Sequence, residues 1–339
     1  MDFFSKNFRV LKAIPKIHER LLVPVRRSYD PERDPFLKLC RELDLEAQRF
    51  DAVNHHHNEK VILAGWLVFP KNPSSHCIVY CHTMNASHHE GDFLLPYVLE
   101  HGLGLCVFDF RAHGVSAGKF SSLGYWETLD LESVLDFLLS ESLFKKFILW
   151  GRSMGSVACL LYNSKYHHKV MRKKFNIHLK HMHRIKFVVM DSPYFSLVNG
   201  VSNVVQTISP NCPEILVKTV LMMIDDNIKD SIGISLEHLN MAFHAFYLQD
   251  NIYKVIFSQN DELIAESERQ LIFDRIKSWD KKLFVAEGKH NSARKQELIG
   301  EICNYIEVII RANEESNEPL LSEPSDAFSI KEIESMMHI

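Results

Sequence analysis

The 339 residues include 39 Lys and Arg against 43 Asp and Glu, a formal net charge of −4, so no global basic field points to a nucleic-acid partner. With 46% hydrophobic and 24% charged residues the chain reads as an ordinary globular protein, large enough for one big domain or two of common size, and no run of 18 or more uncharged apolar residues marks a membrane span. The seven cysteines have no close pairs, and Cys77, Cys81, Cys106 and Cys159 lie inside apolar runs; they read as buried thiols of a reducing compartment, not as a disulfide framework or a zinc site.

Taken in chain order, residues 1–49 form a basic arm in which Lys6, Arg9, Lys12, Lys16, Arg20, Arg26 and Arg27 interleave with Phe3, Phe4, Phe8, Leu11, Ile14, Ile17 and Leu21. Two readings follow for residues 1–27: contact with an anionic membrane face, or packing on the domain with a solvated basic side, the second being favoured. Pro15, Pro24, Pro31 and Pro35 exclude one long helix. The early Asp2 argues against a secretory signal and, standing where an acylated glycine would be needed, against myristoylation, so a cytoplasmic protein, with peripheral membrane contact as the open alternative, is expected.

From residue 61 short β-rich runs alternate with helical stretches. The runs are Val61–Phe69, His76–Tyr80, Leu103–Phe108, Phe147–Trp150, Ile185–Met190 and Ile252–Phe257; the helices are Phe93–Glu100, Tyr125–Ser140, Met154–Ser164, Glu262–Ser278 and Arg294–Ala312. This alternation predicts an α/β architecture: a mostly parallel, doubly wound sheet with helices on both faces and function at the carboxyl ends of the strands. Residues 165–184 read as a basic insertion and 197–248 as a helical cap, while 313–339, rich in Glu, Ser and Pro, read as an acidic disordered tail.

Gly151-Arg152-Ser153-Met154-Gly155 lies between an apolar strand and a small-residue helix, the pattern of a tight turn with serine at its apex. Such a turn strains the serine backbone and needs glycines where a side chain would collide with strand or helix. It presents Oγ at a helix N-terminus and frees the Met154 N–H for a developing oxyanion. A serine hydroxyl needs a histidine to take its proton and a carboxylate to orient that histidine. Asp261 follows the run ending at Phe257-Ser258, and His290 follows Leu283-Phe284-Val285-Ala286 and a turn, so all three residues fall on loops after strands. Asp191, also at a strand end, is the competing acid.

These pieces, with Tyr80–Ser87, Asp109–Ser116, Asp191-Ser192-Pro193 and His290-Asn291-Ser292, resemble the α/β-hydrolase superfamily over about residues 50–312. Within it the chain resembles the serine-aminopeptidase and monoglyceride-lipase-like group and its acyl-protein-thioesterase relatives, and most closely a branch of mostly uncharacterised protist hydrolases. The resemblance implies a Ser153–His290–Asp261 triad, with Asp191 structural, and a second oxyanion N–H on Met84 beside that of Met154. It implies supporting roles for His82, Asp109, Arg111, His113 and Asp191. One departure stands out: the family's His-Gly in the oxyanion loop is His82-Thr83 here, and a β-branched residue tolerates positive φ poorly. Either the loop takes another path and still offers Met84 N–H, or catalysis is weakened.

The expected function is therefore a serine hydrolase of an ester or thioester bond, with an amide as a further option, acting on a small-molecule or acylated substrate. Cap residues Ile215, Leu216, Val217, Val220, Leu221, Met222 and Met223 suggest an apolar entrance and an acyl chain. A catalytically silent binding protein on the same fold is the alternative that Thr83 keeps open. No cofactor or metal is expected: the His55-His56-His57 run and the His88-His89 pair lack a Cys, Asp or Glu at ligand spacing and read as solvated or structural. Nothing in the pattern indicates an oligomeric state.

Overall fold

Strict alternation explains how the central strands bury both faces. In His76–Cys81, the residues Cys77, Val79 and Cys81 join one core while Ile78 and Tyr80 join the other. The computed structural model describes residues 19–55, 60–72, 74–141, 143–167, 184–209 and 212–316. Its strands are Glu46–Asn54 (β1), Val61–Phe69 (β2), His76–Cys81 (β3), Gly104–Phe108 (β4), Lys146–Arg152 (β5), Ile185–Asp191 (β6), Ile252–Ser258 (β7) and Lys281–Ala286 (β8). They form one 8-stranded sheet in the order β1-β2-β4-β3-β5-β6-β7-β8. β2 runs antiparallel to β1 and β4; the other neighbours are parallel.

The helices are Pro35–Glu42 (α1), Leu95–His101 (α2), Glu127–Ser140 (α3), Met154–His167 (α4), Leu197–Ile208 (α5), Glu214–Ile232 (α6), Met241–Ala245 (α7), Glu266–Arg275 (α8) and Gln296–Ser316 (α9). One sheet face packs on Leu131, Val134 and Leu138 of α3 and Val157, Leu160 and Leu161 of α4. The other packs on Phe36 of α1, Val98 of α2 and Ile299, Ile302 and Ile306 of α9. Helices thus cover both faces, as the alternation predicted.

β1 was not expected, because its outward Glu46, Arg49 and Asp51 hide the inward set Phe50, Ala52 and Asn54. Phe50 stacks on Phe137 at 4.9 Å and lies over Gly65, where a Cβ would come 2.6 Å from its ring. The helix expected from Glu262 starts only at Glu266, because Asp261 Oδ1 accepts the N–H groups of Leu263 and Ile264 and bends that stretch into a loop.

Between β6 and β7 the cap region holds α5 to α7, closed at its base by an isolated bridge between Ser196 and Asn240. The seven residues expected to line an apolar entrance do not share one surface. α6 is amphipathic: Val217 and Val220 are buried, Leu216 and Leu221 half-buried against the core, and Ile215, Met222 and Met223 exposed.

Residues 22–29 pack on the domain. Leu22 is buried, Val25 N–H donates to Asn85 Oδ1 at 2.7 Å, and the Arg26 guanidinium donates to the carbonyls of Ser116 and Gly118 at 2.6 and 2.8 Å. Residues 1–18, His56 and His57, most of the basic insertion (168–183) and the tail from residue 317 lie outside the described residues. Among the described residues no helix is long and apolar enough to cross a membrane.

Candidate active site

The turn after β5 carries the strain expected of it. Ser153 holds φ +48°, a left-handed conformation that costs a non-glycine residue about 1–2 kcal/mol. Its N–H donates to Asp191 O at 2.7 Å, and its carbonyl accepts from Val157 N–H at 3.0 Å as the first bond of α4. The glycines follow from close approach: a Cβ on Gly151 would stand 2.4 Å from Gly155 O, and one on Gly155 would stand 2.0 Å from Cys81 O. β5 and α4 can cross over β3 this tightly only without side chains at those two positions.

The three loop residues meet at this apex. His290 Nε2 lies 2.9 Å from Ser153 Oγ, and His290 Nδ1 lies 2.8 Å from Asp261 Oδ2. Asp261 sits after β7 and His290 after β8, and the side chains of both are nearly or fully buried. Burial pushes the Asp261 carboxyl up, but the His290 hydrogen bond and charge and the N–H groups of Leu263 and Ile264 prevail and hold it below the ordinary Asp range. An ionised Asp261 accepting from Nδ1–H leaves the Nε2 lone pair facing the serine hydroxyl.

Asp191 does something else. Arg294 donates to its two oxygens at 2.8 and 2.6 Å, with both side chains buried. Arg152 donates to the carbonyls of His290 and Ser292 at 3.0 and 2.7 Å, and its Nε is 4.0 Å from Asp191. Asp191 therefore anchors the arginines that hold the backbone of the His290 loop. Nothing in the sequence signals Arg294, because its burial and its partner 103 residues away are both tertiary facts.

The oxyanion loop takes its own path. Positive φ falls on Asn85 (+63°), not on Thr83, whose N–H donates to the half-buried Glu90 Oε2 at 2.7 Å. Burial raises the Glu90 carboxyl above its ordinary range, against the pull of the Thr83 N–H and the Arg152 charge. His82 Nε2 accepts from Phe110 N–H at 2.9 Å, which puts the ring proton on Nδ1, donated to Thr83 O at 2.7 Å. Burial and the neighbouring His113 push this imidazole down to about 3, so it stays neutral. Met84 is half-buried against the core. Met154 opens α4, so its N–H is a first-turn donor beyond the reach of any helical carbonyl.

The supporting residues brace the neighbouring loop. Asp109 accepts from Tyr29 O–H, His88 N–H and Val115 N–H at 2.8, 2.8 and 3.0 Å. Arg111 grips the buried Asp130 at 2.7–3.1 Å, and His113 Nδ1 donates to Arg111 O at 2.8 Å. Glu127, unanticipated in the sequence, takes four hydrogen bonds of 2.7–3.0 Å from Ser121, Ser122 and Gly124, and Ser121 Oγ touches Met154 Sδ at 3.3 Å. Burial works to raise the Glu127 carboxyl, yet Arg111 and these donors hold it below the usual Glu range. Of the His88-His89 pair, His88 is fully buried and His89 half-buried, and both rings face Asp34.

Residues 77–173 match the model of the alpha/beta hydrolase fold family. The uncharacterised protein YqkD of Bacillus subtilis (strain 168) is 31% identical over 101 residues, which cover 30% of this chain and 33% of that protein, so the match spans a third of the relative's length. Among solved structures, the Pyrococcus furiosus esterase Pf2001 aligns with TM-score 0.58 at 19% identity over 86% of this chain and 98% of its own. A putative hydrolase of Agrobacterium vitis S4 aligns with TM-score 0.52 at 14% identity over 79% of this chain and 98% of its own.

Proposed function

On the α/β-hydrolase fold that this chain has, we propose a serine hydrolase that cleaves carboxylic esters. The observation that carries the reading is the relay Ser153–His290–Asp261, at 2.9 and 2.8 Å, with Ser153 held at φ +48°. The similar Pyrococcus furiosus protein is itself named an esterase.

In the first half-reaction Ser153 Oγ attacks the acyl carbonyl carbon while its proton passes to His290 Nε2. Asp261 holds the imidazolium that forms. The carbonyl oxygen takes up negative charge and is met by the N–H groups of Met154 and Met84. The intermediate collapses, the acyl–oxygen bond breaks, and His290 returns the proton to the departing alcohol. Water then attacks the acyl-serine, His290 again acting as base, and the acid is released with Ser153 restored. Half-buried apolar side chains on the bordering loops, Met84, Leu123 and Tyr125, favour an apolar acyl group. Esters are the substrate class preferred over the thioesters and aminoacyl amides of the groups that the sequence resembles.

Labelling with a fluorophosphonate probe tests nucleophile activation without assuming a substrate. Wild type is expected to label, and S153A and H290A are not. A folded wild type that fails to label overturns the proposal in favour of a binding protein on this fold. A screen of acyl esters, acyl thioesters and aminoacyl amides then ranks the bond types.

A further inference from the structure

Among the described residues and outside the triad, one group of potential metal ligands joins residues distant in sequence. Asp34 caps the N-terminus of α1, accepting the Phe36 N–H at 3.0 Å, and His88 and His89 open the 3-10 turn His88–Leu94 that follows the oxyanion loop. One ligand atom from each of the three lies within 4.8 Å of the others. His88 Nε2 is 3.1 Å from Asp34 Oδ2, and His89 Nε2 is 3.3 Å from Asp34 Oδ1. Two ligands of one tetrahedral ion with bonds of about 2.0–2.1 Å stand about 3.3 Å apart.

The hydrogen-bond pattern points the same way. His88 is buried, yet its Nε2 makes no hydrogen bond: Asp34 Oδ2 is near enough but poorly aligned. Its other nitrogen, Nδ1, meets Asp109 Oδ1 at 3.3 Å. A ring proton on Nδ1 alone would leave the Nε2 lone pair facing the cluster. His89 repeats the arrangement, Nδ1 facing Asp92 Oδ2 at 3.6 Å and Nε2 facing Asp34. His88 is thus backed by a carboxylate at hydrogen-bond distance, the kind of outer partner that fixes the tautomer and orientation of a metal-ligating histidine, while Asp92 stands beside His89 without bonding to it. Asp34 has outer partners too: Trp66 Nε1–H donates to Oδ2 at 2.8 Å, beside the Phe36 N–H on Oδ1.

We propose that Asp34, His88 and His89 form a site for a divalent cation of the zinc type, distinct from the triad, that fastens the N-terminal segment to the turn behind the oxyanion loop. Two imidazoles and one carboxylate suit Zn²⁺ and its neighbours, whereas Ca²⁺ and Mg²⁺ want oxygen ligands throughout. The His89 side chain is 28% exposed, which gives the ion a path from solvent and leaves a fourth position for water. Sequence spacing hid this site because β1, β2 and β3 separate the carboxylate from the two histidines along the chain.

The test uses the full-length chain, stripped with a chelator and dialysed. Zn²⁺ is titrated calorimetrically and by thermal melting, and Co²⁺ by visible absorption. One Zn²⁺ per chain is expected, with a raised melting temperature and the intense Co²⁺ bands of a four-coordinate site. H89A, chosen because His89 is partly exposed and its loss spares the core, is expected to weaken binding by about 100-fold or more, since even outer partners are worth 10- to 100-fold. H88Q is expected to do the same, and D92N less. H55A, outside the cluster, and S153A are expected to bind like wild type, so the result stands apart from the fate of the triad. A protonated His88 would satisfy the same carboxylates without metal. No uptake by wild type, or uptake undiminished in H89A and H88Q, overturns the proposal, the second outcome marking adventitious binding at other histidines.

Discussion

Arg294 clasps Asp191 through hydrogen bonds of 2.8 and 2.6 Å, and this pair separates the two carboxylates that stand at strand ends beside the elbow. Asp191 is spent on holding the His290 loop, and Asp261 is left to hold the imidazole. The two substitutions should therefore part company. D261N is expected to cut kcat by about 10³- to 10⁴-fold by stabilising the wrong tautomer, with a melting temperature close to wild type. D191N, which leaves a buried arginine half-paired, is expected to cost about 3 kcal/mol of stability. Ester-hydrolysis kinetics and urea melts on both variants check this; equal losses of activity at unchanged stability would contradict it.

The elbow invites a pair of backbone tests. G155A is expected to destabilise severely, by more than about 3 kcal/mol, because its Cβ would meet the Cys81 carbonyl oxygen at 2.0 Å and backbone cannot step aside. At the apex, S153G is expected to be more stable than S153A by about 1 kcal/mol, since alanine keeps the strained φ and glycine relieves it. Chemical denaturation of the two inactive variants reads the difference directly.

Glu90 gives the unusual oxyanion loop its anchor through the Thr83 N–H at 2.7 Å. E90A would leave that half-buried N–H without its carboxylate partner and free the loop to move Met84. The expected result is a fall in kcat of about 10- to 100-fold with little change in KM, below the 10²- to 10³-fold of losing an oxyanion donor outright. A rise in KM at constant kcat would assign Glu90 to substrate binding instead.

Glu127 makes a pH prediction. Its folded-state carboxyl lies below the ordinary value of 4.5 although it is buried, so ionised Glu127 contributes stability that is full above about pH 4.5 and is lost as pH falls through the folded value. E127Q presents an amide to donors that want an anion. It is expected to melt well below wild type at pH 7, by about 2–4 kcal/mol, and the gap should narrow as pH drops under 4.5. Parallel melting curves from pH 7 to 3 would show it; a constant gap would mean that the loss is one of packing.

What the residues alone made legible was local. Alternating apolar runs reveal strands because the side-chain period of a strand is two, and Gly-x-Ser-x-Gly reveals the elbow because only glycine fits where strand and helix backbones touch. The order of serine, acid and histidine on loops after strands was readable for the same reason: each needs only its own neighbours in the chain. Tertiary structure decided whatever depends on residues that meet from afar. The residues by themselves left Asp191 competing with Asp261 and only the family resemblance favoured Asp261; the physical reason, the pairing of Asp191 with Arg294 103 residues on, is tertiary. β1 emerged only when Phe50 found Phe137 and Gly65. The cap helix sorted Val217 inward and Met222 outward by what it packs against. The cluster of Asp34 with His88 and His89 could not be foreseen from spacing, because a ligand set is defined by distance in space and the chain between its members runs through three strands.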